Sequence, residues 1–244
     1  MLLVIDVGNT NVTFGLFKGK KLVKNWRCVT KKVGELMGLG VDGLAGKVDG
    51  VIVASVVPEI DARLRIYIHK KIKVTPLFVT YKNAGIKIAY PRPTEIGADR
   101  LVDAVAAWKK YKRACIVVDF GTATTLDYID DKGRYYGGPI APGISIANDA
   151  LFEATSKLPK AGISRVKKII PKTTKMAMQA GVYIGYLGLV EKLIGVMQRE
   201  VGGRPLVIAT GGLAPLISGG TKVIDKKEPH LTLEGLKIIW ELNQ

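Results

Sequence analysis

The sequence predicts an α/β fold built from two similar halves. An apolar run ending in Asp-x-Gly occurs twice, as Leu2-Leu3-Val4-Ile5-Asp6-Val7-Gly8 and as Cys115-Ile116-Val117-Val118-Asp119-Phe120-Gly121, 113 residues apart in a chain of 244. Each copy is followed by the same succession of hairpin, helix, strand and helix, the alternation of an α/β domain. No long Gly/Ser linker divides the chain, so the halves, 1–112 and 113–244, are expected to pack across a cleft.

The elements follow from local pattern. Residues 2–6 read as a strand, and Val12–Phe17 and Leu22–Val29 as a hairpin turning at Lys18-Gly19-Lys20. A helix is expected over 31–46, weakened by Gly34, Gly38, Gly40 and Gly43. Val51–Val57 is a fully apolar strand stopped by Pro58. Ile60, Leu64 and Ile68 recur at helical spacing in 59–71, and 74–80 reads as another strand. After a loop with Pro91 and Pro93, a helix is expected over 98–111. The second half repeats the plan. It has a strand at 115–119, a hairpin of 125–129 with 135–140, helices near 143–157 and 173–200, and a strand at 206–210. An amphipathic helix over 232–242 closes the chain.

Composition narrows the classes. Hydrophobic residues make up 48% and charged residues 24%, the balance of a globular protein with a large core. Two cysteines, Cys28 and Cys115, imply no disulfide framework. No signal peptide and no membrane-length apolar run is read, so the cytoplasm is the expected location. The net charge of +16 comes as scattered pairs such as Lys20-Lys21, Lys70-Lys71 and Lys226-Lys227, without interleaved aromatics. That pattern is read as a solvated lysine-rich surface, not a nucleic-acid platform.

The two Asp-Gly turns point to chemistry. Amides in such a turn can converge on an anion, and the small hydroxyl and amide residues after each glycine add donors. Asp6 and Asp119 could then face phosphates only with a cation between, and Mg²⁺ suits one or two carboxylates plus phosphate oxygens. A single copy would be read as a plain turn; two at matched places favour a nucleotide clamp. The chain has neither a Gly-x-x-x-x-Gly-Lys-Ser/Thr loop nor a Gly-x-Gly-x-x-Gly fingerprint after a strand. Gly211-Gly212, ending a late strand, could admit a flat adenine ring or be a bare turn. Asp99, at a predicted helix start beside Arg100 and a turn before Asp103, could be a helix cap or a general base. His69 and His230 are isolated and read as surface residues.

With these segments assembled, the chain resembles the type III pantothenate kinases, of the acetate-and-sugar-kinase/Hsp70/actin superfamily. The resemblance runs nearly end to end, through Asp6–Asn11, Ala54–Pro58, Gly97–Leu101, Asp119–Thr125, Gly137–Gly143, Thr210–Gly212 and Leu231–Leu236. Asp-x-Gly-x-Thr is common to the superfamily. Gly-Ala-Asp-Arg followed about 20 residues later by Asp-Phe-Gly-Thr-Ala-Thr-Thr is far more specific.

The resemblance implies two ribonuclease H-like halves, an actin-like ATPase fold, and ATP-dependent phosphorylation of pantothenate to 4'-phosphopantothenate, the first step toward coenzyme A. It implies that Asp6, Val7, Gly8, Asn9, Thr10, Asn11, Val12 and Thr13 form the first phosphate turn. Asp6 would hold Mg²⁺ through water. Thr122 would contact ATP phosphate, and Gly211 and Gly212 would lie by the adenine. Asp99 would be the base, with Tyr90, Gly97, Ala98 and Arg100 in the pantothenate site. Thr174 would be a further pantothenate contact, Thr173 being the alternative. Asp119 would hold an activating K⁺ or NH₄⁺, and a homodimer is implied. Position 13 is Thr where some members carry a basic residue. The rival readings are another small-molecule kinase or a nucleotide polyphosphate phosphatase on this fold, and a non-catalytic ATP-binding accessory protein.

Overall fold

Residues 1–31, 39–41, 43–166 and 168–244 are described by the structure, a computed structural model. Half of the predicted helix over 31–46, residues 32–38 and 42, falls outside them, and 39–41 and 43–46 are turn and loop where helix was expected. In the first half, β1 (Leu2–Val7), β2 (Asn11–Lys18), β3 (Lys21–Val29), β4 (Gly50–Ser55) and β5 (Leu77–Phe78) form a sheet in the order β3-β2-β1-β4-β5. β1 runs antiparallel to β2 and parallel to β4. The helix α1 (Pro58–Ile72) starts with proline at its first position, where a missing N–H costs nothing. Its buried stripe Leu64, Ile68, Ile72 packs with Leu3, Ile5 and Val7, one face of β1. β6 (Lys87–Ile88) and a 3₁₀ turn (Pro93–Glu95) lead into α2 (Ala98–Tyr111).

The second half has β7 (Cys115–Phe120), β8 (Ala123–Ile129), β9 (Arg134–Gly137), β10 (Ile140–Pro142), β11 (Leu206–Thr210) and β12 (Lys226–Lys227). The strands of this half run in the order β9-β8-β7-β11-β12 within their sheet, with β10 also on β8. β7 is antiparallel to β8 and parallel to β11. The order and directions match those of the first sheet strand for strand, so the sequence repeat is a structural repeat. Three helices follow: α3 (Ile144–Glu153), α4 (Thr174–Glu200) and the short α5 (Ala214–Ser218). Ile116, Val118 and Phe120 of β7 pack with Tyr183, Tyr186, Leu187, Val190 and Ile194 of α4.

Several expectations need correction. The strand foreseen over 74–80 shrinks to Leu77–Phe78, beginning after Pro76, which has no N–H to give a ladder. The strand foreseen over 135–140 breaks into β9 and β10, because Gly138 leaves no room for a Cβ (2.1 Å from the Leu126 carbonyl oxygen) and Pro139 cannot donate. The helix near 143–157 stops at Glu153.

The division of the chain also differs. One unit comprises Met1–Tyr111 with His230–Gln244, the other Lys112–Pro229. The closing helix α6 (Leu231–Leu242) belongs to the first unit. Its stripe Leu231, Leu233, Leu236, Ile239 is buried. Leu233 meets β1 and β2 at Val4 and Gly15, Gly235 lies against the Val102 carbonyl of α2, and Lys110 pairs with Glu234 at 3.2 Å. A repeat in sequence does not say which half an appended amphipathic helix will cover.

One further correction concerns α4. Among the described residues it is the helix long and apolar enough to cross a membrane, with mean hydropathy 1.4 over its most apolar window. The sequence reading found no such run because glycines, tyrosines and a Glu191-Lys192 pair interrupt it. Its buried face forms the core of the second unit, which accounts for much of that apolar character.

Candidate active site

In the first unit the candidate residues gather at the carboxyl ends of β1 and β4, where parallel strands of α/β folds place ligands. Asp6 pairs in register with Thr13 on one side and Ala54 on the other. Since Leu3, Ile5 and Val7 face α1, Asp6 lies on the opposite face with Val4, the face covered by α6. The turn between β1 and β2 is held at both ends: Gly8 N–H donates to the Asn11 carbonyl at 3.0 Å, and the Thr30 hydroxyl donates to the Gly8 carbonyl at 2.6 Å. Asn9 and Thr10 are exposed at its tip. Val7 and Val12, however, are 1% and 0% exposed, so they can meet a ligand only through their backbone.

Asp99 stands in the first turn of α2, two residues after Gly97. Gly97 adjoins Val56 just beyond β4, and a Cβ there would sit 2.5 Å from Asp99 Oδ1. Asp99 is therefore held at the same strand end as Asp6. It is not a cap: it lies inside the helix, and its Oδ1 accepts from the next amide, that of Arg100, at 2.8 Å. Burial pushes its carboxyl up from the ordinary 3.8, only partly opposed by the Arg100 amide and guanidinium. A carboxylate with a raised pKa in an apolar setting is a better proton acceptor than a solvated one. Ala98 is buried, Arg100 and Tyr90 are half-buried, and Asp103 is 3% exposed.

In the second unit Asp119 ends β7, in register with Thr125 and Thr210. Gly211 follows at φ +89°, and a Cβ on it would lie 2.3 Å from Asp119 Oδ1 and 2.7 Å from the Phe120 backbone. The glycine is thus required by the acid beside it, a reason independent of adenine. Gly121 N–H closes the turn to the Ala123 carbonyl at 3.1 Å, with Thr122 exposed at the tip. The repeat is not perfect here: two residues link β7 to β8, where three link β1 to β2. Thr173 is the N-cap of α4, its hydroxyl accepting from Met176 N–H at 3.2 Å; Thr174, the next residue, is exposed.

Residues missed by the sequence reading also appear. Gly143 precedes α3, and a Cβ there would be 2.1 Å from the Thr122 carbonyl oxygen. The amino end of α3 therefore lies on the Asp119 turn. The signal was the Gly-Gly-Pro-Ile-Ala-Pro-Gly run at 137–143, noted as part of the resemblance but given no role.

A duplicated α/β fold with an Asp-Gly turn ending the first strand of each half, and a half-buried carboxylate at the same strand end as one of them, is the arrangement of ATP-dependent kinases with the actin-like fold. Solved structures share that fold. A glucomannokinase from Arthrobacter superimposes with a TM-score of 0.53 at 14% identity, covering 100% of this chain and 99% of that one. A Campylobacter jejuni chain assigned to a Baf family of transcriptional activators gives 0.65 at 20% identity, covering 99% and 98%. The sequence carries the assignment further. The chain belongs to the type III pantothenate kinase family, whose model matches residues 2–195. Relatives named type III pantothenate kinase from Geobacter sulfurreducens and Moorella thermoacetica are each 46% identical, with both chains covered in full.

Proposed function

We propose that the chain transfers the γ-phosphoryl group of ATP to the terminal hydroxyl of pantothenate, giving 4'-phosphopantothenate, the first step of coenzyme A biosynthesis. The observation that carries this is Asp99: a half-buried carboxyl with a raised pKa, at the same strand end as Asp6, on a chain of this family. Asp99 takes the proton as the hydroxyl oxygen attacks the γ-phosphorus in line, so the nucleophile gains charge as the bond forms. Gly97 keeps the carboxyl from being displaced, and Arg100, with Tyr90, Gly97 and Ala98, orients pantothenate through its carboxylate and amide. Thr174 adds a contact, since the Thr173 hydroxyl is committed to the helix cap. The amides of Asn9, Thr10, Asn11 and Thr122 hold the phosphates, the Gly8 amide being spent on closing the turn, and Gly211 and Gly212 border the adenine.

The two acids fit two kinds of cation. Among the described residues no three His, Cys, Asp or Glu side chains converge on one point. Asp6 would hold Mg²⁺ through water together with phosphate oxygens, and Asp119 would hold K⁺ or NH₄⁺ with neighbouring oxygens. Bound there, the cations neutralise phosphate charge. On this reading the protein works in the cytoplasm.

An ATP-consumption assay with pantothenate tests the proposal. Turnover is expected in K⁺ or NH₄⁺ and a loss of most of it in Na⁺ alone, with Asp119→Asn abolishing the difference. Phosphorylation of another hydroxyl substrate but not pantothenate would overturn the substrate assignment.

The working form is a homodimer. What supports this is the outer face of α4. Gly181, Gly185 and Gly188 share one side of the helix, each with nothing within 4 Å of an added Cβ, and Ile184 beside them is 39% exposed. In solvent, Gly185→Ala would stabilise the helix by roughly 0.5–1 kcal/mol. Packed on a second copy, it would instead weaken the assembly, and Gly185→Arg would yield a monomer by sedimentation. A Gly185→Arg protein with the native sedimentation coefficient would refute this interface.

A further inference from the structure

Tyr186 of α4 lies in the core of the second unit, 6% exposed. Its ring packs on Phe120, centroids 6.4 Å apart at 57°. Its hydroxyl is hydrogen-bonded to Thr124 Oγ1, itself fully buried, and accepts from the backbone N–H of Ile144. Those three partners surround one turn. Phe120 and Thr124 are register partners on β7 and β8, immediately before and after Gly121-Thr122-Ala123. Ile144 is the first residue of α3, next to the Gly143 that rests on the Thr122 carbonyl.

We infer that Tyr186 is a positioning residue for the phosphate side of the reaction, its hydroxyl fastening the amino end of α3 to the Asp119–Thr122 turn. A phenol hydroxyl can serve both partners at once, donating to one oxygen while accepting from the amide. Removing a buried hydroxyl that satisfies two groups strands both, and what moves is the spacing between turn and helix, not the core. This rests on the kinase reading, since it assumes that the turn contacts ATP.

Tyr186→Phe tests it, because the phenyl ring keeps its place on Phe120. Loss of one buried hydrogen-bond anchor is expected to raise the Kd for MgATP, measured calorimetrically without pantothenate, by roughly tenfold. The KM for ATP should rise in parallel, with the KM for pantothenate unchanged. Thr124→Val, which removes the other hydroxyl, should show the same split. The double variant should be no worse than the poorer single one, because the two act as a unit. MgATP affinity within twofold of the native value in both folded variants, whatever their Tm, would overturn the inference and leave the kinase intact. A native protein that binds no MgATP would overturn the kinase reading as well.

Discussion

Asp99→Asn is expected to lower kcat by about 10²–10⁴-fold, the contribution of a positioned general base, while leaving MgATP affinity near native. The amide keeps the shape and can still accept the Arg100 N–H bond found at 2.8 Å, but it cannot take a proton. In the native protein the same group sets the acid limb of the pH profile. Burial raises the Asp99 pKa above 3.8, so kcat should fall as pH drops through that raised value, and the limb should vanish in the variant. The stability effect has the opposite sign. A carboxyl whose pKa is raised by folding binds more protons folded than unfolded between the two pKa values, so stability declines as pH rises through that window and stays lower above it. Asp99→Asn should therefore have a higher Tm at neutral pH, with the gain disappearing below about pH 4. Thermal melts at both pH values beside kinetics would check this. Near-native turnover would remove Asp99 from the role of base.

The second large effect is expected at Gly211. Alanine there must adopt φ +89° and place its Cβ 2.3 Å from Asp119 Oδ1 and 2.7 Å from the Phe120 backbone. The left-handed conformation costs about 1 kcal/mol for alanine, and forcing atoms into a packed site typically adds about 1–3 kcal/mol. A Tm lower by roughly 5–15 °C is expected, since each kcal/mol moves a chain of this size by about 2–4 °C. Because the displaced atoms belong to Asp119, turnover should also lose its dependence on K⁺ before the fold is lost. Gly203→Ala, at an exposed position with nothing within 4 Å of an added Cβ, is the control that should leave the K⁺ dependence unchanged. A Gly211→Ala protein with native Tm and native K⁺ activation would show that the acid is not held by this glycine.

How much of this was legible in advance depended on the range of the interactions. The strands β1, β4, β7 and β11 are apolar runs bounded by Gly, Pro or acid, and each lies within a residue or two of its expected limits. β5 and the 135–140 segment failed because a proline or a crowded glycine interrupts the ladder. The Asp-Gly turns were visible because their chemistry is contiguous in sequence. Tyr186 was not visible. It lies 62 residues from Thr124, within a helix of core spacing where a tyrosine reads as packing.

The sequence by itself determined the repeat, the acids that end the first strand of each half, and the Gly-Ala-Asp-Arg segment. Each of these is a local pattern of residue types, and local patterns survive without coordinates. Only the tertiary structure decided that α6 closes the first unit, that Asp99 sits half-buried in the first turn of its helix with its carboxyl on the Arg100 amide, and that Gly211 is small for the sake of Asp119. Each of those depends on which surfaces meet across tens of residues. Hydrophobic burial fixes that choice through the fit of whole faces, and no single segment records it.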